Sequence, residues 1–399
     1  MHRLREFFGY DANLEPRTPP EFQEELDRYL LERYNPEVEA PLEKLRRFYR
    51  LKGILQRGGL APLARRFFWS LRAYRARRLL PAYDPQRPDH RFPAWPWDET
   101  LEQRKLAMLA TLASPEEGLE VLWFWPKGKR WVFVITHDVE SAAGLDHLHR
   151  FMEVEQRYGF RSSFNLVPRG YPVPEDLVED LWRRGFEVGI HGYNHDGFLF
   201  LDRQTFEYRL AWIREIAQRW NSRGFRSPST LRRIAWLQEL PVEWDSSCFD
   251  TDPFEPQPGG VLSWFPYRLG PLVELPITLP QDHLVFRLLG HRDLQLWQQK
   301  ARRIREAYGM VLINVHPDPG YMSDPDLFPL YEEFLAWMHS FGSELWNPLP
   351  SELARWWNQR LDLLQGSVQD YASGGMAVEK KTLRVRTVKP ENRLKLDVI

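Results

Sequence analysis

Three things are nearly or wholly missing from the chain, and each absence excludes a class of protein. There is one cysteine, Cys248, in 399 residues. A lone thiol closes no disulfide within the chain and builds no cysteine zinc cluster, so a stapled secreted fold and a zinc-finger site are excluded. No run of about 18 apolar residues occurs, so no membrane-spanning helix is expected. The first twenty residues, MHRLREFFGYDANLEPRTPP, lack the apolar core of a signal peptide, and the expected location is the cytoplasm. Net charge is missing too: the formal value is −1, which leaves no long-range field to gather nucleic acid.

With 43% hydrophobic and 27% charged residues, the composition is that of a globular chain, long enough for one large domain with extensions. The stretch 41–80 stands apart, with twelve Lys and Arg against Glu43 alone, a local charge of +11. Its LARRFFWSLRAYRARRLL interleaves arginine with Phe67, Phe68, Trp69, Leu71 and Tyr74, the pattern of basic amphipathic helices broken at Gly58–Gly59 and Pro62. Such a segment is either a solvated helical subdomain or a peripheral contact for an anionic membrane or lipid carrier. It has no recognisable RNA-binding motif, so nucleic acid is not an expected partner. The proline- and tryptophan-rich PAYDPQRPDHRFPAWPWDET reads as an irregular connector, because proline fixes φ and removes donors. Residues 1–125 therefore form a helical, basic extension ahead of the main domain.

From about residue 120 the pattern alternates between strand and helix. WVFVIT, RSSFNLV, FEVGIHG and MVLINVH are strand-like. GFRSP, VEWDSS and LVELPIT look like further strand ends. Helical stretches lie between them, at roughly 144–158, in PEDLVEDLWRRG and at about 293–308. Asp202 precedes a helix whose Phe206, Leu210, Ile213, Ala217 and Trp220 share one face. Repeated β–α alternation predicts a parallel α/β fold, barrel-like, over 126–360. The tail, 361–399, contains TLRVRTV, which alternates as an edge strand or hairpin does.

In such a barrel the C-terminal ends of the strands converge on one face, and that face carries the chemistry. The strand ends here bring Asp138 and Glu140, His191 and His195, Arg226, Asp245, and His316. His191 and His195 are four apart, which on a helical turn lets both reach one ion. The zincin pattern H-E-x-x-H is absent, since Gly192 stands where its glutamate would be, and a protease of that type is not expected. Asp138 and Glu140 are two apart, so on a strand they share a face while Val139 takes the other. One carboxylate can complete a His-His-carboxylate metal site with open positions, and the second can act as general base. Two ionised carboxylates this close repel each other, and a metal or Arg226 relieves that cost.

These residues, in this order, resemble the polysaccharide deacetylases of the NodB-homology type, carbohydrate esterase family 4. The resemblance covers about residues 126–350. THDVE occupies the place of a T-F-D-D-like first motif, His191-Gly-Tyr-Asn-His195 that of H-[ST]-x-x-H, Arg226-Ser-Pro228 that of R-x-P-Y, and VLINVH316 that of an apolar strand ending in histidine. The aspartate motif falls at Trp244-Asp245-Ser246-Ser247, or at Asp250 or Asp252. The resemblance implies a distorted (β/α) barrel and one divalent metal. Zinc is the first expectation, and iron, cobalt, nickel and manganese suit the same donors. It implies His191 and His195 as metal ligands, with Glu140 as the third ligand and Asp138 as base, or the reverse. It implies Arg226 orienting the base, His316 as general acid, and Asp245 polarising His316, with Asp250, Asp252 and Asp282 as competitors.

Three positions depart from the family pattern: Asp-Val-Glu for adjacent aspartates, Gly192 for a hydroxyl residue, and Ser229 for a tyrosine. They mark a divergent branch. The implied function is metal-dependent deacetylation of an N-acetylated sugar, such as a surface-polysaccharide or lipid- or nucleotide-linked precursor. Two alternatives stand beside it: a catalytically degenerate saccharide-binding or scaffold protein, and a C–N hydrolase of a non-sugar amide. The first predicts that the five acidic and histidine side chains fail to converge. The second predicts a narrow pocket, or one closed by the Asp250–Pro258 loop.

Overall fold

A computed structural model describes residues 95–112, 118–257, 261, 263–364, 378–388 and 393–398. The basic stretch 41–80 lies outside the described residues. The main sheet comprises β2 (Trp131–Val139), β3 (Ser162–Leu166), β4 (Glu187–His191), β5 (Gly224–Arg226), β6 (Trp244–Asp245), β7 (Tyr267–Leu269), β8 (Leu272–Glu274), β9 (Met310–Val315) and β10 (Leu345–Trp346). Strands β2-β3-β4-β5-β6-β8 follow one another in parallel, β9 and β10 pair in parallel with β2, and β7 alone runs antiparallel, beside β8. The sheet curls on itself. Just past β8, the N–H groups of Thr278 and Leu279 both donate to the Leu312 carbonyl in β9, at 3.3 and 3.1 Å. An irregular segment thus closes what the regular strands leave open, and the fold is a distorted (β/α) barrel.

Helices over Leu148–Arg157, Glu175–Arg183, Arg203–Arg219, Gln295–Glu306 and Phe328–His339 form the outer layer. The anticipated cap is present: Asp202 Oδ1 accepts from the Thr205 N–H at 2.8 Å, satisfying one of the donors that a helix start leaves open. Phe206, Leu210, Ile213 and Ala217 are buried on the inner face of that helix.

Strand parity sorts the chemistry. Along β2, Trp131, Phe133 and Ile135 pack toward the helices, while Val132 and Val134 join Leu312, Trp244 and Val273 in the barrel interior. Further up the same inward face the residues turn polar: Thr136 and Asp138 from β2, Asn165 from β3, Arg226 from β5 and Asn314 from β9, all buried. The interior is therefore an apolar plug at one end and a hydrogen-bonded polar layer at the other.

Two local readings differ from expectation. His191 and His195 do not sit on a helical turn. His191 ends β4, and the chain then turns sharply through Gly192 at φ +68°. A side chain at 192 would put its Cβ 2.5 Å from Pro228 Cδ, which accounts for glycine where the related motif carries a hydroxyl. TLRVRTV falls within β11 (Lys380–Val388), which is no edge strand. It lies between β1 (Leu119–Leu122) and β12 (Arg393–Val398) in a separate antiparallel sheet, forming a hairpin with β12.

Candidate metal and catalytic site

At the polar end of the barrel, ligand atoms of Glu140, His191 and His195 lie within 4.8 Å of one another. Three donors about 2.0–2.2 Å from a common ion span that distance or less. His191 Nδ1 donates to the Arg226 carbonyl at 3.0 Å, which fixes the tautomer and leaves Nε2 as the ligand atom. His195 Nε2 is 3.1 Å from Glu140 Oε1. It is a buried ring nitrogen without a hydrogen bond of proper geometry among the described residues, as expected of an atom whose natural partner is a cation. The donor set of two imidazoles and a carboxylate fits a divalent metal.

Asp138 is held from three sides. Asn165 Nδ2 donates to Oδ1 at 2.9 Å, Asn314 Nδ2 to Oδ2 at 2.9 Å, and the Arg226 guanidinium approaches to 3.4 Å. Asn165 reaches Asp138 because Gly189 leaves it room: a Cβ there would lie 2.0 Å from Asn165 Oδ1. Burial alone would raise the Asp138 pKa, but the charges of His191, Arg226 and His316 and the Asn165 bond outweigh it and hold the carboxylate ionised. Burial likewise opposes ionisation of Glu140, and His195, His316 and His191 overcome it. His191 is pushed down to about 4, chiefly by desolvation, so it is neutral and able to ligate at pH 7.

Asp245 does not meet His316. Trp244 occupies the inward position on β6, packed in the interior cluster, so its neighbour Asp245 projects to the opposite side. There it accepts from the Ser247 Oγ and N–H at 2.9 and 3.0 Å. The partner of His316 is Asp282, one of the competing aspartates: Asp282 Oδ1 lies 2.6 Å from His316 Nδ1, and Oδ2 accepts the His316 backbone N–H at 2.8 Å. Desolvation lowers the His316 pKa, but the Asp282 charge and hydrogen bond, with Glu140 and Asp138, raise it to about 10. His316 Nε2 stands 3.9 Å from Glu140 Oε1. Arg226 is fully buried. It binds Thr136 Oγ1, the Ser246 carbonyl and Ser246 Oγ at 2.7–2.8 Å, which pins the guanidinium beneath Asp138.

Asp138, Glu140, His191 and His316 line one cavity of about 50 Å³, together with residues that sequence reasoning did not single out: Gln281, His283, Glu255 and Tyr321. Tyr321 stacks on His316, with ring centroids 4.9 Å apart. Asp318 accepts from the Glu140 N–H at 2.8 Å and from Ser141 Oγ. The one available signal for Asp318 was its place two residues after His316. Gln281 and His283 carried none, since they stand just before and at the start of a short π-helix, His283–Leu288, where no strand periodicity sets direction.

No family model matches the chain, and no curated protein is found similar to it. Solved structures do match. A protein from Mycobacterium smegmatis described as a polysaccharide deacetylase is 18% identical over 62% of this chain and 96% of its own, with a TM-score of 0.48. Similar folds occur among solved polysaccharide deacetylases. Another, from Pseudomonas aeruginosa PAO1, is 16% identical over 59% of this chain and 93% of its own, with a TM-score of 0.45. A Puue allantoinase is 15% identical over 59% and 92%, with a TM-score of 0.47. At these values the barrel assignment stands on the chain's own strand order, and the chemistry on its own side chains.

Proposed function

We propose that the protein is a metal-dependent hydrolase of amide bonds that removes a short acyl group from an N-acylated sugar, N-acetyl being the simplest case. The observation that carries this reading is convergence. Two imidazoles and a carboxylate face one point, and an ionised Asp138 and a protonated His316 border the same cavity. A divalent cation held by Glu140, His191 and His195 would supply Lewis acidity, polarising the amide carbonyl and making water more acidic.

The side chains do the remainder. Asp138, kept ionised and oriented by Asn165, Asn314 and Arg226, accepts the proton of the attacking water. The water oxygen bonds to the carbonyl carbon. His316, held protonated by Asp282, donates to the nitrogen as the C–N bond breaks, giving a carboxylate and an amine. Glu140 serves as ligand in preference to Asp138, because its carboxylate groups with both imidazoles while that of Asp138 is occupied by two amide donors. The same convergence is the reason for placing turnover ahead of a degenerate binding protein in this proposal.

The pocket supports a second reading. It is far below the roughly 300 Å³ of an ordinary ligand site, and Glu255, from the 250–258 loop, lines it. A small non-sugar amide would suit such a site. On the first reading only the acyl tip enters, and the sugar ring stays outside. The substrate would then be met in the cytoplasm. Residues 41–80 would touch an anionic carrier or membrane surface, a part of the proposal that rests on their charge alone. Among the described residues no helix is long and apolar enough to cross a membrane.

The test is metal analysis of the purified protein with amine release from N-acetylated sugars before and after chelation. Stoichiometric metal and chelator-sensitive release are expected, both lost in His191→Ala. Absence of metal, with His191→Ala matching the wild type, overturns the proposal.

A further inference from the structure

Glu140 stands one residue beyond β2, which ends at Val139. The ladder with β3 stops at the Val139–Leu166 pair, and the ladder with β9 stops at His137–Val315. The Glu140 side chain keeps the inward direction of its strand only if the backbone holds an extended course there, without a paired strand to impose it. Its Oε1 nevertheless lies 3.1 Å from His195 Nε2 and 3.9 Å from His316 Nε2.

The peptide unit between Val139 and Glu140 is held at both ends by side chains. Tyr171 Oη donates to the Val139 carbonyl at 2.5 Å and accepts the Val167 N–H at 3.2 Å. Asp318 Oδ2 accepts the Glu140 N–H at 2.8 Å, and Asp318 Oδ1 accepts from the Ser141 hydroxyl. A peptide is planar. Bonding both its C=O and its N–H fixes that plane, and with it the direction in which the Glu140 side chain leaves the backbone. Asp318 is buried and is itself fixed. Its carbonyl accepts from the Ser323 hydroxyl at 2.8 Å and from the Tyr321 N–H at 3.2 Å. The neighbouring Pro317 carbonyl lies 2.7 Å from His147 Nδ1.

Gly144 makes room for this arrangement. It lies in the short helix Ala142–Leu145, where alanine is ordinarily the better helix former. A Cβ there would come within 2.8 Å of Asp318 Oδ2 and 2.9 Å of its Cγ. The glycine leaves open the space that the carboxylate occupies.

We propose that Asp318 is a positioning residue for the metal site: by clamping the Glu140 N–H it turns the Glu140 carboxylate toward the two imidazoles and so sets the affinity for a divalent cation. The inference rests on the reading of Glu140 as a ligand, and not on which amide is hydrolysed. Groups that orient a ligand from behind tune metal affinity by about 10- to 100-fold.

The experiment uses the full chain, stripped of metal and titrated with zinc against a chromophoric chelator. Asp318→Ala should weaken zinc binding about 10- to 100-fold. Asp318→Asn offers an oxygen to the Glu140 N–H and an amino group to the Ser141 oxygen, so its affinity should return to within about threefold of the wild type. Gly144→Ala drives a methyl into the carboxylate and should weaken zinc binding while Asp318 is present. Added to Asp318→Ala it should do nothing further, because no carboxylate is left to displace. A residue that only supports the fold would show neither the rescue nor the non-additivity. Unchanged zinc affinity in Asp318→Ala overturns the proposal, and so does an Asp318→Asn variant as weak as Asp318→Ala. Should Asp318→Ala fail to fold, Gly144→Ala decides, and unchanged affinity there overturns the clamp. A wild type that binds zinc but releases no amine from any N-acylated sugar overturns the hydrolase reading, and the affinity order, if kept, supports the clamp. A wild type that binds no zinc overturns both.

Discussion

His137 and Asp138 are neighbours on β2 and live in different environments. His137 turns outward, its Nε2 2.7 Å from Glu155 Oε1, stacked on Phe164 and enclosed by Phe151 and Tyr331. Both members of that pair are fully buried. His316 and Asp282 make a pair of almost the same length, 2.6 Å, at the inward end of β9. One pair faces only packed rings. The other faces a cavity with Glu140 3.9 Å away. A histidine–carboxylate pair is thus no sign of catalysis by itself. Its surroundings decide, and on a strand one residue of parity decides the surroundings.

The largest effect that sharpens this contrast is on the reacting face. Asp138→Asn keeps the hydrogen-bonding shape and removes the proton acceptor, so kcat should fall about 10²- to 10⁴-fold with bound metal unchanged. Metal analysis beside the kinetics separates this outcome from that of Glu140→Gln, which should lose metal. If Asp138→Asn empties the site and Glu140→Gln does not, the two roles are exchanged.

Next come the two histidine partners. Asp282→Asn should lower the pH at which activity fades on the alkaline side, because the Asp282 carboxylate is the largest influence raising His316 toward about 10. Asp245→Asn should leave that limb where it is. A shift with Asp245 and none with Asp282 would contradict the geometry. On the outward face, Glu155→Gln disturbs a buried pair and a bond from the Tyr331 hydroxyl at 2.8 Å, and should cost about 1–3 kcal/mol of stability. Its specific activity should hold in the fraction that remains folded. A kinetic defect without a stability defect would mean that the outward face reaches the site.

The parity argument also explains what was legible in the sequence. Long β-branched runs such as WVFVIT and MVLINVH declared β2 and β9, and the polar residues ending them declared the end of the barrel that holds the polar cavity. Asp138, Glu140, His191, His195, Arg226 and His316 all stand at strand ends or just beyond, where period-two spacing fixes direction. Asp245 misled for the same reason: β6 is two residues long, too short for its pattern to show that Trp244 takes the inward position. Glu255 comes from an irregular segment, and Gln281, Asp282 and His283 from the start of the short helix His283–Leu288, so their side-chain directions follow from tertiary closure. The hairpin of β11 and β12 was visible in its alternation. Its pairing with β1, more than 250 residues earlier, was not, because nothing local encodes a partner strand.

The smallest predicted effect concerns the metal-free protein, and it sets two of the cavity histidines, His191 and His316, against each other. His191 has a folded-state pKa of about 4, below the model-peptide value of 6.5. Between pH 6.5 and 4 the unfolded chain binds a proton there that the folded chain does not, so stability falls as pH falls through that window. His316 has the opposite sign. Its folded-state pKa is raised from 6.5 to about 10, so its contribution is complete below 6.5 and is lost as pH rises toward 10. Other buried groups tilt the whole curve, among them Asp252, raised to about 8 by burial and by Glu255. Differences between variants cancel their share. Denaturant unfolding after chelation should show His191→Gln gaining on the wild type only below pH 6.5. His316→Gln should gain on it only above that value. Neither slope should exceed about 1.4 kcal/mol per pH unit, the limit for one proton. Slopes of the reverse sign would mean that the two rings exchange protonation states, with His191 the acid and His316 the neutral ligand, and the assignment of roles would invert with them.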